Sequence, residues 1–261
     1  MSTKQKNQRK TPVRLAEQGF FVGGVFFILA IWLVSAWVID SPLIVPGPWA
    51  VGEKLVSFAG QPVFWLGVWG TVSRVLGGFT LSLVLSLIAG LGAGIWDPVR
   101  NMLRPGLIFM QAVPVLSIIL VLLIWFGSEQ VPVVTAVLMT FPVMTEAVIQ
   151  GVRGVDEKLL VMAASYSVPF RSRLTGIFIP SFLPGLFAGA SASLGLTWKV
   201  VVAAEVLAQP VLGMGTRMQR AKNILETGEV FAWTLAAVIL SGLTQGLFTL
   251  LARHWRTHGR R

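Results

Sequence analysis

Residues 177–215, IFIPSFLPGLFAGASASLGLTWKVVVAAEVLAQPVLGMG, decide the fold class of this chain. The run is long, apolar and entered through Pro180 and Pro184. Small residues stripe it, and it carries Lys199 and Glu205, charges that lipid-facing helices avoid. It exceeds the ~20 residues that a helix needs to cross a bilayer. Just before it lies a charged amphipathic segment, 155–173. A cytoplasmic helix held between two membrane spans is a coupling device rather than an enzyme active site.

Composition supports this reading. The chain has 261 residues, 54% hydrophobic and 12% charged, with a mean hydropathy of +0.76. Soluble domains carry about 25% charged residues, so the balance is that of an integral membrane protein. There is no cysteine, which excludes disulfides, Cys-ligated zinc, iron–sulfur clusters and thiol redox chemistry. The net charge of +10 does not indicate nucleic acid, because the basic residues sit beside apolar runs and report membrane topology. The first apolar run, 20–39, is full span length, and no small-x-small cleavage site follows it, only Asp40-Ser41-Pro42. It reads as a retained helix.

Six segments qualify as spans: 20–39, 75–95, 107–126, 132–149, 181–207 and 230–251. All must be helical, because backbone in lipid has to satisfy its own hydrogen bonds. The expected fold is an all-α membrane protein, a six-transmembrane-helix bundle with a cytoplasmic coupling helix. Basic tails at 1–19 and 252–261 flank a single transmembrane domain, 20–251, whose long cytoplasmic loop is 150–179. Lysine and arginine concentrate in both tails, around Arg100 and Arg104, and in the 150–179 loop (Arg153, Lys158, Arg171, Arg173). The positive-inside rule therefore places both termini and that loop in the cytoplasm. In the loop, Asp156 and Glu157 stand where a helix N-terminus favours acids, and Leu159, Leu160, Met162, Ala163 and Tyr166 recur at helical spacing before Pro169.

Three glycine pairs have the four-residue spacing that lets helix backbones approach closely: Gly90/Gly94, Gly185/Gly189 and Gly242/Gly246. Ser193 extends the middle stripe, so Gly185, Gly189 and Ser193 are expected to pack against another helix, within the chain or across a subunit interface. Arg74, Trp198, Lys199 and Glu205 are candidates for a translocation path or gate. The alternative is a structural ion pair in which Lys199 or Arg74 meets Glu205. Glu146, near the inner end of the fourth span, reads as an interfacial or interhelical hydrogen-bonding group rather than a proton carrier.

No catalytic set emerges. A serine nucleophile needs a nearby base, and the two histidines, His254 and His258, lie in the C-terminal tail. Clustered metal ligands are absent from the sequence, and no G-x-x-x-x-G-K-[ST] string occurs. Any ATP hydrolysis belongs to another chain.

These features resemble the permease subunit of binding-protein-dependent ABC importers, and most closely the nitrate, taurine and aliphatic-sulfonate branch. The resemblance covers nearly the whole chain. It rests on SPLIVPGP at 41–48, on QAVPVLSIILVLLIWFG at 111–127, and on Pro180, Pro184, Gly185, Gly189, Leu194, Gly195, Trp198, Ala204, Glu205 and Gly213. The cytoplasmic EAA motif of the family departs here: counting back from Pro180 puts Val161, Met162 and Ala163 at its E-A-A and Ser167 at its glycine.

The resemblance implies a multi-pass bacterial inner-membrane protein that imports a small polar solute of the sulfonate, nitrate or taurine kind, a class that includes anions. It implies a second permease subunit, most simply an identical copy. It also implies an extracytoplasmic solute-binding protein and cytoplasmic ABC ATPase subunits that touch Ala163, Ser167, Val168, Pro169 and Arg171. The chain itself would bind no cofactor; ATP and magnesium would sit on the ATPase. The competing expectation is a secondary transporter or channel that works without ATP, a class often marked by inverted repeats or midplane charges.

Overall fold

The computed structural model describes residues 11–258, and the extreme basic tails, 1–10 and 259–261, lie outside it. The described chain is helical throughout, with no strand among the described residues. Eleven α-helices follow in order: α1 (Thr11–Ile39), α2 (Pro48–Ala59), α3 (Pro62–Ile95), α4 (Asp97–Ala112), α5 (Val115–Trp125), α6 (Val131–Arg153), α7 (Glu157–Ser165), α8 (Phe170–Arg173), α9 (Ile179–Ala208), α10 (Met214–Asn223) and α11 (Thr227–His258).

Five helical segments are long and apolar enough to cross a membrane, and α4 with α5 forms a sixth, broken one. The third span, expected as one helix over 107–126, is in fact bent by 99° between α4 and α5. The cause is local. Pro114 forces the residue before it out of the α region, and Val113 has an extended backbone, with ψ 128. The 11 residues of α5 rise only ~16 Å, about half the hydrocarbon thickness.

The second span is longer than expected. It begins at Pro62 rather than near residue 75, so Arg74 lies well inside a helix of 34 residues rather than at its edge. Pro62 fits because the first turn of a helix does not use its N–H. The fifth span is preceded by α8 and a π turn, Leu174–Phe178. That turn falls where Pro180 withholds the N–H that the Gly176 carbonyl would otherwise accept.

The centre of the bundle is α6, clasped between α3 and α9. Helices α3 and α6 run parallel in one register, with Gly78, Gly90 and Gly94 facing Ala136, Val148 and Val152. Helix α9 runs antiparallel to α6, with Gly185 over Gly151 and Gly189 over Ala147. A Cβ on Gly90 would stand 2.6 Å from Val148, and one on Gly189 would stand 2.2 Å from Ala147 Cβ. Two of the three glycine pairs therefore serve packing inside the chain, where lipid offers little hydrophobic drive and close van der Waals contact holds helices together. Ser193, one turn further along α9, is also buried. Gly242 and Gly246 on α11 have open space around their Cα atoms.

Small hydroxyl residues fill the same seams, and most of them are hydrogen-bonded, whereas Ser82 and Ser193 are buried with no partner for their hydroxyls. Thr135, Thr140 and Thr197 donate to carbonyls one turn back in their own helices, at 2.7–2.8 Å. Between helices, Thr145 donates to Ser86 at 3.1 Å, and Ser86 to the Phe141 carbonyl at 3.0 Å. An apolar cluster that includes Val75, Phe79, Met144, Leu194, Trp198, Met214 and Trp233 completes the interior. Helix α1 stands apart, its apolar window unburied. Trp32 ties it down, donating to the Pro46 carbonyl at 3.1 Å and stacking on Phe231.

Candidate functional site

Three places in the bundle collect polar residues. The first closes the end of α9. The Glu205 carboxylate is fully buried. It accepts hydrogen bonds from Thr71 Oγ1 at 2.8 Å, from Arg74 at 2.8 Å and from the Gly215 N–H at 3.0 Å. Arg74 also donates to the Leu212 carbonyl and to Glu129, while Glu129 accepts from the Val211 N–H at 2.7 Å. The Met214 N–H donates to Thr71 Oγ1 at 2.8 Å.

One guanidinium thus joins α3, the α5–α6 turn, α9 and the strap 209–213. The chain can close here because Gly213 and Gly215 have no side chain: a Cβ at Gly215 would lie 2.4 Å from the Val202 carbonyl oxygen. Gln209, in the left-handed region at φ 49, turns the chain out of α9.

Arg74, Trp198 and Glu205, expected as candidates for a translocation path or gate, are all buried in the bundle. Arg74 and Glu205 form the structural ion pair, with each charge desolvated but multiply hydrogen-bonded. Trp198 is 2% exposed and donates through Nε1 to Thr244 at 2.9 Å, joining α9 to α11. Lys199 is not part of this network. It is exposed on α9 and has no acidic partner among the described residues. Sequence reasoning missed Glu129 and Thr71. Glu129, the one acid in the tight 127–131 turn, was the available signal.

The second place lies at the opposite end of the bundle. Arg153, closing α6, pairs with Asp97 at the start of α4, and α7 follows. Asp156 caps α7 by accepting from the Lys158 N–H at 2.9 Å. The helix shows Val161, Met162 and Tyr166 outward, with Tyr166 79% exposed, and Phe170 continues the exposed surface. Ser167, Pro169 and Arg171 are exposed and Val168 is half-buried. Ala163, expected as a partner contact, is turned into the chain and is 4% exposed; its carbonyl accepts from the Val168 N–H at 2.9 Å. Ser167 has φ 53, the left-handed conformation that glycine adopts without cost. This is the position that the sequence register aligned with a glycine.

The third place is an open cavity between α4, α6 and α9 that is bordered by Gln111, Glu146 and Gln150, and the exposed Lys199 lies three residues beyond its wall residue Leu196 on α9. Glu146 accepts from Gln150 Nε2 at 3.2 Å. No cluster of metal ligands occurs among the described residues.

A multi-pass helical bundle with an open, mostly apolar cavity that holds a carboxylate and two amides, and with a short exposed helix slung between two spans, is the architecture of a membrane permease. The chain belongs to the family described as binding-protein-dependent transport system inner membrane component, whose pattern matches residues 82–257. It is similar to the taurine transport system permease protein TauC of Escherichia coli (strain K12): 28% identical over 246 residues, covering 91% of this chain and 89% of that one. It is equally similar to the putative aliphatic sulfonates transport permease protein SsuC of Bacillus subtilis (strain 168), at 28% over 241 residues, covering 88% and 84%. A glycine betaine transport system permease protein of the same organism, OpuAB, is 26% identical over 192 residues, covering 70% and 67%. The chain is therefore an ABC transporter permease, a multi-pass protein of the inner membrane and a transport component rather than an enzyme.

Proposed function

We propose that the chain is the permease subunit of an ATP-driven importer for a small polar solute of the sulfonate or taurine kind. Two copies face one another and enclose the path, a solute-binding protein delivers to the α10 end, and ATPase subunits grip the α7 end. Both termini and the 150–179 loop lie in the cytoplasm, as the basic residues require. ATP and magnesium belong to the ATPase.

The observation that carries this reading is the α7–α8 segment. It is short, capped and slung between α6 and α9, and its apolar and aromatic side chains point away from the bundle. Such a helix offers anchors to a groove on a partner. Ser167, Val168, Pro169 and Arg171 form its turn, and Val161, Met162 and Tyr166 supply the outward face in place of Ala163. The names of the relatives and the exposed Lys199 support the solute class, since a cation on an open face attracts anions.

The test is co-isolation of the chain with an ATPase bearing a P-loop, combined with Ser167→Trp. That variant should insert normally, lose transport and release ATP hydrolysis from control by the permease. Normal coupled transport by Ser167→Trp would reject the assignment of this turn.

A further inference from the structure

Helices α4, α6 and α9 leave an open cavity of about 490 Å³, with Gln111, Glu146, Ala147, Gln150, Gly189 and Leu196 among its walls. Glu146 lies seven residues before the end of α6, some 10 Å along the helix. Its one hydrogen-bond donor is Gln150, on the same helix, and no lysine or arginine lies within 4.0 Å of it among the described residues. Glu205, near the end of α9, is by contrast met by Arg74. An ionised carboxylate at membrane depth needs water or a cation, and the cavity gives access to both.

Lys199 stands on the same side of α9, one turn beyond the wall residue Leu196 and ten residues beyond Gly189. Its level is therefore about 15 Å from that of Glu146. The open face thus presents a cation at one level and an acid at the next.

We propose that Glu146, with Gln111 and Gln150, is a cation-selecting station on the translocation path, and that the solute carries an ammonium group as well as an anionic one. This rests on the reading of the α4–α6–α9 face as the path. A solute with only a sulfonate is drawn to Lys199 and then repelled by Glu146. An aminoalkylsulfonate meets a partner at both levels, and the two glutamines offer N–H donors to its sulfonate and carbonyl acceptors to its ammonium.

The chain has no cysteine, so single cysteines can be probed in the assembled complex in membrane vesicles. Val143→Cys, on the cavity wall one turn from Glu146, should react about tenfold faster with a trimethylammonium-bearing methanethiosulfonate than with a sulfonate-bearing one, after correction for their rates with free thiol. Glu146→Gln should bring the ratio to about one, and Glu146→Asp should preserve most of it. Taurine should slow the labelling more than ethanesulfonate does. A ratio at or below one, a ratio unmoved by Glu146→Gln, or no greater protection by taurine overturns the proposal. Lys199→Cys separates this failure from that of the path itself. If Lys199→Cys is labelled and Val143→Cys is not in any nucleotide state, the station is wrong and the path stands. If neither is labelled, the path reading of this face falls. Labelling of Lys199→Cys in the Glu146→Gln background shows that the variant is assembled.

Discussion

Replacing Arg74 with methionine removes the guanidinium that faces the buried Glu205 carboxylate. Glu205 keeps its hydrogen bonds from Thr71 and Gly215 but becomes an uncompensated charge with no solvent exposure. Breaking a buried pair from one side costs about 3–5 kcal/mol. Glu205→Gln is milder, because Arg74 keeps Glu129, which is 55% exposed, and the Leu212 carbonyl. The loss there is that of a charge-assisted hydrogen bond, about 1–3 kcal/mol.

The double variant Arg74→Met/Glu205→Gln should lose less than the sum of the two, since neither charge is then left alone. Thermal unfolding of the detergent-solubilised protein provides the measurement. Arg74→Met should lower the melting temperature by on the order of 10 °C and Glu205→Gln by clearly less. If Arg74→Met melted with the unmodified protein, or if Glu205→Gln were the more damaging, the network would not be the structural clasp described above.

Ser167 is left-handed, so Ser167→Gly should stabilise the 150–179 loop by up to about 1 kcal/mol and Ser167→Val should destabilise it by more; protease resistance of that loop in vesicles reads the order. Gly189→Leu should impair folding because its side chain would enter Ala147, and Ala147→Gly should restore part of the loss, whereas Gly242→Leu meets open space. Melting temperatures of the monomeric protein decide this, and equal effects at Gly189 and Gly242 would contradict the packing. Lys199→Met, with no ion pair to break, should leave stability within about 0.5 kcal/mol while reducing uptake of an anionic solute in reconstituted vesicles. Full uptake would remove Lys199 from the path.

The number of crossings was legible in the sequence because a spanning helix needs a fixed length of apolar residues, and 181–207 or 132–149 satisfy it wherever they pack. The resemblance and the α7 segment were legible for a similar reason, since capping acids, helical spacing and the Pro180/Pro184 entry are local signals. The direction of the glycine stripes was not. Gly185/Gly189 and Gly242/Gly246 have the same spacing, yet the first pair holds α6 and the second faces outward, a difference set by neighbours far along the chain. Nor could spacing say which cation meets Glu205. Lys199 is six residues away but points off the bundle, whereas Arg74, 131 residues away, reaches the carboxylate because α3 lies beside α9. The chain by itself determined that it is a helical membrane protein with a coupling segment, because length, hydropathy and charge placement are one-dimensional. Only the tertiary structure decided that Arg74 and Glu205 are a clasp, that Lys199 is exposed and that Glu146 borders an open cavity, because the faces of packed helices are assigned by contact.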